Sequence, residues 1–257
     1  MPRILSVASG KGGVGKTTIV SNLGATLTEA GKDVTIVDGN LTTANLSLHL
    51  GIPFSPVTLH DVLRGDAHID EARYIHPSGI KVVPSGIGID DLEGTDSRDL
   101  PVFLRDMMDD SDFVILDTAA GLGQETISTL EASDEVLIVT EPTMPSATDA
   151  LKTKNLAEKL DVGIAGLVIN RTSGTKGELN EEEIADMLDG VPVLAKIPHD
   201  NKIIESLSKK KPLIHHKPHS PAGKAIQKLA SEIVKEEIKL EREAKGLFEK
   251  IANFLRG

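Results

Sequence analysis

The chain has 257 residues, 39% of them hydrophobic and 26% charged, which fits one large or two small globular domains and excludes a disordered tail protein. No apolar run approaches the roughly 18 residues of a membrane span, the N-terminus has no signal-peptide pattern, and the absence of cysteine excludes thiolate metal sites and iron–sulfur clusters. The net charge of −11 is unevenly distributed, because residues 202–257 carry a net charge of +6 and the remainder −17. The acidic body argues against a general nucleic-acid binder. The basic C-terminal quarter could still contact an anionic surface.

Short apolar runs alternate along the chain with helical patterns. The predicted strands are residues 4–8, 34–37, 80–83, 113–116, 136–140, 166–169 and 193–197. The clearest predicted helices are residues 18–30, 149–160 and 222–234. Because the strands are apolar throughout rather than alternating, they are expected to be covered on both faces. The pattern predicts an α/β fold with a doubly wound, mostly parallel sheet, formed by one domain (residues 1–235) and followed by a C-terminal extension (residues 236–257).

The first predicted strand runs into a glycine-rich phosphate loop. The segment reads Gly10-Lys11-Gly12-Gly13-Val14-Gly15-Lys16-Thr17-Thr18. It matches G-x-x-x-x-G-K-T between a strand and a helix, where glycines let backbone N–H groups surround phosphate oxygens and the helix N-terminus adds positive charge. We expect Lys16 at the β- and γ-phosphates and the Thr17 hydroxyl at Mg²⁺, so the fold is that of a P-loop NTPase.

A second lysine, Lys11, lies inside the same loop. The sequence from Lys11 to Thr17 resembles the deviant loop K-G-G-x-G-K-[ST] of the MinD/ParA class of dimerising ATPases. In that class the matching lysine reaches across a dimer interface to the partner's ATP. The resemblance implies ATP binding and hydrolysis, an ATP-dependent homodimer, and transition-state charge supplied in trans by Lys11, as an arginine finger supplies it.

The second predicted strand ends in a segment that resembles switch I of this class, here residues 38–46. Asp38 lies at the carboxyl end of a strand, where side chains face a ligand crevice, and the resemblance makes it a metal and catalytic residue. Asn45 also matches. At position 40 most relatives carry a second Asp linked to the attacking water, whereas this chain has Asn40, which can orient a water but cannot take its proton. We predict slow intrinsic turnover.

The predicted strand at residues 113–116 runs into Asp117, which has the position of a Walker B acid and is expected to bind Mg²⁺ directly or through water. Residues 117–121 resemble switch II of the class, with Ala119 where relatives often have Pro. Its last residue, Gly121, suits a loop that changes conformation with the γ-phosphate.

Two later segments also match the class. Asn170-Arg171 resembles the pair that contacts adenine, and an Asn amide can pair with both the amine and N7 of that base. Pro198 and Asp200 belong to a segment similar to the class's I-P-x-[DE] loop, which contributes to nucleotide binding. The resemblance covers residues 2–234.

The C-terminal segment contains an amphipathic pattern after a charged spacer at residues 235–245. At 100° per residue its apolar side chains fall within an arc of about 160°, with cations at the edge. The predicted membrane-facing residues are Leu247, Phe248, Ile251, Phe254 and Leu255. Two of the chain's six aromatic residues lie on this face, although aromatic content is only 2%. Bacterial MinD proteins end in such a helix, so the resemblance implies a cytoplasmic protein, peripheral on the inner face of the cell membrane. A helix docked on the domain or paired with a partner chain is the alternative.

These features together predict a MinD-like ATPase that cycles on and off a membrane to position cellular machinery, with an unidentified protein as activator or cargo. A ParA-type ATPase that binds non-specific DNA as an ATP dimer is the alternative, disfavoured by the acidic body and the apolar tail. Asn40 also leaves open a scaffold that binds ATP without hydrolysing it. A metal-cluster carrier of the same superfamily is excluded, because the chain has no cysteine.

Overall fold

One eight-stranded sheet forms the centre of the structure, a computed structural model that describes residues 2–52, 55–106 and 111–238. The strands are β1 (Arg3–Ala8), β2 (Val34–Gly39), β3 (Tyr74–Ile75), β4 (Lys81–Val83), β5 (Phe113–Thr118), β6 (Glu135–Thr140), β7 (Gly163–Thr172) and β8 (Val193–Pro198). Their spatial order is β3-β4-β2-β5-β1-β6-β7-β8, and all neighbours are parallel except β3 and β4. The predicted doubly wound, mostly parallel sheet is confirmed.

Helices cover both faces of this sheet. They are α1 (Lys16–Glu29), α2 (Leu46–Leu50), α3 (Leu59–Leu63), α4 (Leu100–Asp106), α5 (Gln124–Glu131), α6 (Met144–Lys159), α7 (Glu181–Met187), α8 (Asn201–Ser208), α9 (Leu213–His216) and α10 (Pro221–Val234), with two 3₁₀ turns at Asp90–Leu92 and Ser97–Asp99. One face carries α1, α2, α9 and α10, and the other carries α3 and α4 beside α6 and α7.

Alternation along the strands explains this layering. In β5, Phe113 and Ile115 join the hydrophobic cluster under α1 and α10, whereas Val114 and Leu116 join the cluster under α3 and α4. Successive side chains of a strand point to opposite faces, so a strand that is apolar at every position buries both sides. The burial of all six residues of β5 follows directly from its sequence.

The largest differences from the sequence predictions occur at three places. The short strand β3 was not predicted; it pairs antiparallel with β4 and covers that edge of the sheet. Helix α6 begins five residues before the predicted start, because the Thr143 hydroxyl caps it and a proline occupies its first turn. Strand β7 is longer than predicted at both ends, and its pairing with β6 shifts register between Val136 and Leu137.

The topology places a ligand crevice at the carboxyl end of β1. After β1 the chain moves to β2 on one side, and after β5 it crosses to β6 on the other side of β1. A sheet that reverses its winding direction opens a crevice at that point, outside the carboxyl ends of the strands. The phosphate loop follows β1 directly and therefore lies in this crevice.

Helix α10 closes the domain at the opposite end of β1. Its Ile226, Leu229 and Ile233 are buried as predicted. The Arg3 guanidinium, at the start of β1, donates to the Ile233 carbonyl and pairs with Glu135. Residues 239–257, including the predicted amphipathic helix, lie outside the described residues. Within the described part of the chain, no helix is long and apolar enough to cross a membrane.

Candidate nucleotide-binding site

The phosphate loop connects β1 to α1 by a backbone path that its sequence dictates. Gly13 and Gly15 have positive φ angles of 79° and 101°, a region that glycine occupies without steric cost. Lys11, Gly12 and Gly13 are exposed, whereas Val14 is buried. Gly15 precedes the first residue of α1 and no side chain caps the helix, so its N-terminal N–H groups remain directed at the crevice.

Lys16 is buried at the start of α1 and is held by a residue that sequence reasoning missed. Its Nζ donates to the Ser9 hydroxyl at 3.0 Å, and that hydroxyl donates to the Lys11 carbonyl at 2.7 Å. Burial lowers the pKa of Lys16, and the charge of Asp117 opposes this effect. The Lys16 ammonium therefore has only a neutral hydroxyl as its partner in the crevice. An anionic ligand would replace the Ser9 hydroxyl and form a stronger, charge-assisted hydrogen bond.

Two glycines of the loop are fixed by close neighbours. A Cβ at Gly10 would lie 2.3 Å from the Asp149 carbonyl oxygen of α6, and a Cβ at Gly15 would lie 2.4 Å from Asn170 Nδ2. Both distances are far below van der Waals contact. The predicted phosphate-binding and base-binding segments are therefore packed directly against each other.

Asp38 and Asp117 end adjacent strands and are direct register partners. Their side chains are both buried. Burial raises the pKa of Asp38 well above its usual range, the charge of Asp117 raises it further, and backbone N–H groups oppose the shift. Burial also raises the pKa of Asp117 to about 6, opposed by a hydrogen bond from the Thr17 hydroxyl and by the Lys16 charge. Two buried carboxylates of like charge are stable in their ionised form only with a cation nearby.

The two acids differ in their partners. Asp38 Oδ1 accepts from the Asn40 N–H at 3.2 Å, and Oδ2 accepts from the Leu46 N–H at 3.1 Å, so this carboxylate joins the two ends of switch I. Asp117 Oδ1 is buried without a hydrogen-bond partner. An unsatisfied buried carboxylate oxygen beside a threonine hydroxyl is a donor set that fits Mg²⁺. Thr17 and Asp117 would hold the ion, and Asp38 lies next to them on the neighbouring strand.

The Asn40 side chain braces switch I internally. Its Nδ2 donates to the Thr43 carbonyl at 2.8 Å, and its Oδ1 accepts from the Thr43 N–H at 3.2 Å and hydroxyl at 3.0 Å. The Asn45 Nδ2 donates to the same carbonyl at 2.7 Å. Both ends of the Asn40 amide are thus used within the loop. Switch II is docked on the phosphate loop, where Gly121 N–H donates to the Ser9 carbonyl at 3.2 Å.

The predicted base-binding residues meet at the ends of β7 and β8. Asn170 is buried, and its Nδ2 donates to the Val14 carbonyl of the phosphate loop at 2.7 Å. Arg171 has a positive φ of 57° and pairs with Glu141 at 2.8 Å, leaving about half of its side chain exposed. Arg171 lies at an irregularity near the end of β7, where its guanidinium is partly exposed.

Pro198 is the register neighbour of Thr172 at the end of β8, so the I-P-x-D segment lies beside the Asn170-Arg171 pair of β7. Asp200, however, caps α8: its carboxylate accepts from the Lys202 N–H at 2.9 Å and from the Ala222 N–H at 3.2 Å. In this structure its carboxylate orders the start of α8 and of α10. Thr18, the last residue of the predicted motif, lies in the first turn of α1. Its backbone carbonyl accepts a hydrogen bond from Asn22 Nδ2 at 2.8 Å.

These features define a P-loop nucleotide-binding fold with a second lysine in the loop and paired acids at the strand ends. The sequence profile of the CobQ/CobB/MinD/ParA nucleotide binding domain family matches residues 5–213. The chain belongs to this family.

Proteins similar to this chain identify its branch of the family. An uncharacterized ATP-binding protein of Methanocaldococcus jannaschii is 34% identical over 255 residues, which cover 98% of this chain and 95% of that protein. The crystal structure of the cell division ATPase MinD of Pyrococcus furiosus is 39% identical with a TM-score of 0.88, covering 91% of this chain and 99% of that chain. The septum site-determining protein MinD of Pyrococcus horikoshii, in complex with Mg-ADP, is 37% identical with a TM-score of 0.88, covering 91% and 97%. The protein is a MinD-like ATPase.

Proposed function

We propose that the protein binds Mg-ATP at the phosphate loop, forms a homodimer with ATP at the interface, and hydrolyses ATP to ADP and phosphate. The cycle would move the protein on and off a membrane through its C-terminal helix and so position cellular machinery, such as the division site. The observation that carries the proposal is the contrast between the two loop lysines: Lys16 is buried at the crevice, whereas Lys11 projects from the same loop into solvent.

The residues that line the crevice support the chemistry of phosphate and metal binding. Lys16 would neutralise the β- and γ-phosphates, and the Thr17 hydroxyl and Asp117 would hold Mg²⁺, which supplies charge stabilisation when bound. Asp38 would orient water around the ion from the adjacent strand. Asn40 cannot accept the proton of the attacking water, and both ends of its side-chain amide are bonded to Thr43, which supports slow intrinsic turnover.

The exposed residues support dimerisation. Three consecutive exposed residues, Lys11 to Gly13, leave the outer wall of the phosphate site open to solvent. A second copy of the chain would close this wall, and its Lys11 would add a positive charge to the transferred phosphoryl group. Structures of MinD, including the one with Mg-ADP, have the same fold as this chain.

The tail would convert dimerisation into membrane attachment. One short amphipathic helix binds a membrane only marginally, whereas two helices held in one dimer gain avidity of about 10² or more. ATP binding would then favour attachment and hydrolysis would favour release.

Nucleotide binding is tested by titration of a fluorescent ATP analogue with Mg²⁺. Lys16→Ala is expected to weaken binding by about 100-fold, because the buried ammonium is the main charge at the phosphates. Lys32→Ala, which changes a lysine outside the crevice, is the matched control. Equal affinities of the two variants would overturn the assignment of the site. Phosphate release by the wild type separates an ATPase from a scaffold that only binds ATP.

Membrane cycling is tested by liposome co-sedimentation with anionic vesicles in ATP and in ADP. The full chain is expected to pellet with ATP and to remain largely soluble with ADP, and a chain truncated after Lys245 is expected not to pellet with either. Pelleting that depends on neither nucleotide nor tail would contradict the proposal. DNA binding without liposome binding would instead select the ParA-type alternative.

Lys11→Ala is expected to bind ATP as the wild type does but to remain monomeric by light scattering.

A further inference from the structure

Glu125, the second residue of α5, connects the two switch segments through its side chain. Its Oε2 accepts from the Leu41 N–H at 3.1 Å and from the Thr42 N–H at 3.5 Å, and its Oε1 accepts from the Thr42 hydroxyl. Leu41 and Thr42 belong to switch I, whereas α5 follows switch II. One carboxylate therefore binds three donors of a loop that is 84 residues away in sequence.

The geometry differs from that of an acid that serves its own helix. In α7, Glu183 accepts from the Asn180 N–H at 2.7 Å, and this closes a capping box at its own N-terminus. Glu125 instead directs both oxygens away from α5 and toward switch I. Because a carboxylate forms stronger hydrogen bonds than a neutral acceptor, this contact restrains the loop more than an amide would.

Helix α5 is well anchored and can transmit a displacement. Its residues Thr126 and Leu130 are fully buried, and the Thr129 hydroxyl donates to the Glu125 carbonyl at 2.6 Å. A Cβ at Gly39 would lie 3.1 Å from that hydroxyl, so α5 also packs against the end of β2. Between the switch segments and α5 lies a cavity of about 320 Å³, lined by residues that include Asn40, Thr42 and Ala119. The cavity leaves the two switch segments room to shift together with α5.

We propose that Glu125 is a positioning residue that couples switch II to switch I. When switch II responds to the nucleotide, α5 carries the Glu125 carboxylate, and with it Leu41 and Thr42. Asp38 and Asn40 come just before these two residues in the chain, so the contact sets their position relative to Asp117. This inference rests on the proposed ATPase function and adds to it a specific route between the two switches.

The test compares Glu125→Ala and Glu125→Gln with Glu131→Gln, an exposed acid at the end of the same helix. Thr42→Val is a second variant that removes one donor and leaves Glu125 in place. Hydrogen exchange of the peptide covering residues 38–46 is measured without nucleotide, with ADP and with ATP. Phosphate release gives kcat and KM for the same proteins, and thermal unfolding reports stability.

For Glu125→Ala we expect exchange in residues 38–46 to rise by about tenfold and kcat to fall by about tenfold, because the loop samples unproductive positions. KM should stay within about twofold, since the phosphate loop is untouched. Glu125→Gln and Thr42→Val should show intermediate effects, and Glu131→Gln none. Non-additive effects in the Glu125→Ala and Thr42→Val double variant would support direct coupling.

Two outcomes would overturn the inference. One is faster exchange with an unchanged kcat, and the other is a lower melting temperature accompanied by a higher KM, which indicates a merely structural role. A wild type that binds ATP without releasing phosphate would refute the proposed ATPase, but not the coupling. In that case the coupling is tested by the difference in hydrogen exchange of residues 38–46 between the ATP-bound and ADP-bound protein. This difference should be present in the wild type and lost in Glu125→Ala. If the difference persists in Glu125→Ala, the coupling is overturned.

Discussion

Asp38 and Asp117 lie side by side as register partners on β2 and β5, and both are buried, but their hydrogen bonding differs. Asp38 is satisfied by backbone N–H groups of switch I, whereas Asp117 has an oxygen without a partner. The folded protein therefore holds a charged group at a position where it destabilises the empty site. Such a group is retained where a cation offsets its cost.

The first prediction concerns Asp117→Asn in the nucleotide-free protein. Burial raises the pKa of Asp117 to about 6, so between about pH 4 and pH 6 the folded protein holds a proton that the unfolded chain has released. The free energy of unfolding of the wild type should therefore fall as the pH rises through this window. The variant lacks this loss and should be more stable by about 1–3 kcal/mol near pH 7.5, measured by urea unfolding.

Adding Mg-ATP should reverse the order of the two proteins. At about 100 times its dissociation constant the ligand stabilises the wild type by roughly 3 kcal/mol, and Asp117→Asn should gain much less. Glu131→Gln, an exposed change of the same charge, should behave as the wild type throughout. A variant that is less stable than the wild type at neutral pH without ligand would contradict the assigned burial cost.

The second prediction compares alanine substitutions at two glycines that both have a positive φ angle, Gly15 and Gly31. Gly15 and Gly31 both have positive φ, but a Cβ at Gly15 would meet Asn170 Nδ2 at 2.4 Å, whereas at Gly31 it would meet nothing within 4 Å. Each alanine substitution should cost about 1 kcal/mol through its backbone conformation. Gly15→Ala should in addition weaken ATP binding by at least about tenfold, because it displaces Asn170 and the loop. Equal nucleotide affinity of the two variants would disprove the importance of this packing.

The third prediction concerns Asn170→Ala. Removing its amide leaves the buried Val14 carbonyl without this donor, and the empty protein should lose about 1–2 kcal/mol of stability. ATP affinity should fall by about tenfold or less, while the preference for ATP over GTP should be largely lost. Asn180→Ala, which removes a helix cap of similar value away from the crevice, should lose stability but retain base selectivity. Competition binding with the two nucleotides distinguishes the variants.

The fourth prediction concerns the unusual residue of switch I. Asn40→Asp supplies a carboxylate that can accept a proton, and single-turnover hydrolysis should accelerate by about tenfold or more. The substitution also removes the donor to the Thr43 carbonyl, so nucleotide affinity is measured in parallel. An unchanged or slower hydrolysis rate at unchanged nucleotide affinity would contradict the hypothesis that Asn40 makes intrinsic turnover slow.

The sequence was sufficient for seven of the eight strands and for the phosphate loop, because these features are encoded by neighbours in the chain. An apolar run such as Phe113 to Leu116 identifies a strand covered on two faces, and the glycine spacing before Lys16 identifies the loop. The same logic placed Asp38 and Asp117 at one edge, since carboxyl ends of parallel strands meet there.

The residues that sequence reasoning missed depend on distant contacts. Ser9 directly precedes the phosphate loop, and this position is the one local signal that marks it as a partner for Lys16. Glu125 has no local signal, because its partners are fixed only when β2 and α5 pack together. Strand β3 has two residues and no hydrophobic period of its own; it exists because β4 offers an open edge. The roles predicted for Lys11 and for residues 247–255 stay predictions.

The bond from Arg3 to the Ile233 carbonyl fixes the end of α10 beside the start of β1. Arg3 begins β1 and the phosphate loop follows its other end, so the exit of α10 and the nucleotide crevice lie roughly 17 Å apart along one strand. The nucleotide crevice and the end of α10, after which the tail follows in sequence, therefore lie at opposite ends of β1. In the proposed cycle, ATP acts by setting how many tails one particle carries. Fusing two domains by a flexible linker should then replace the nucleotide in membrane binding.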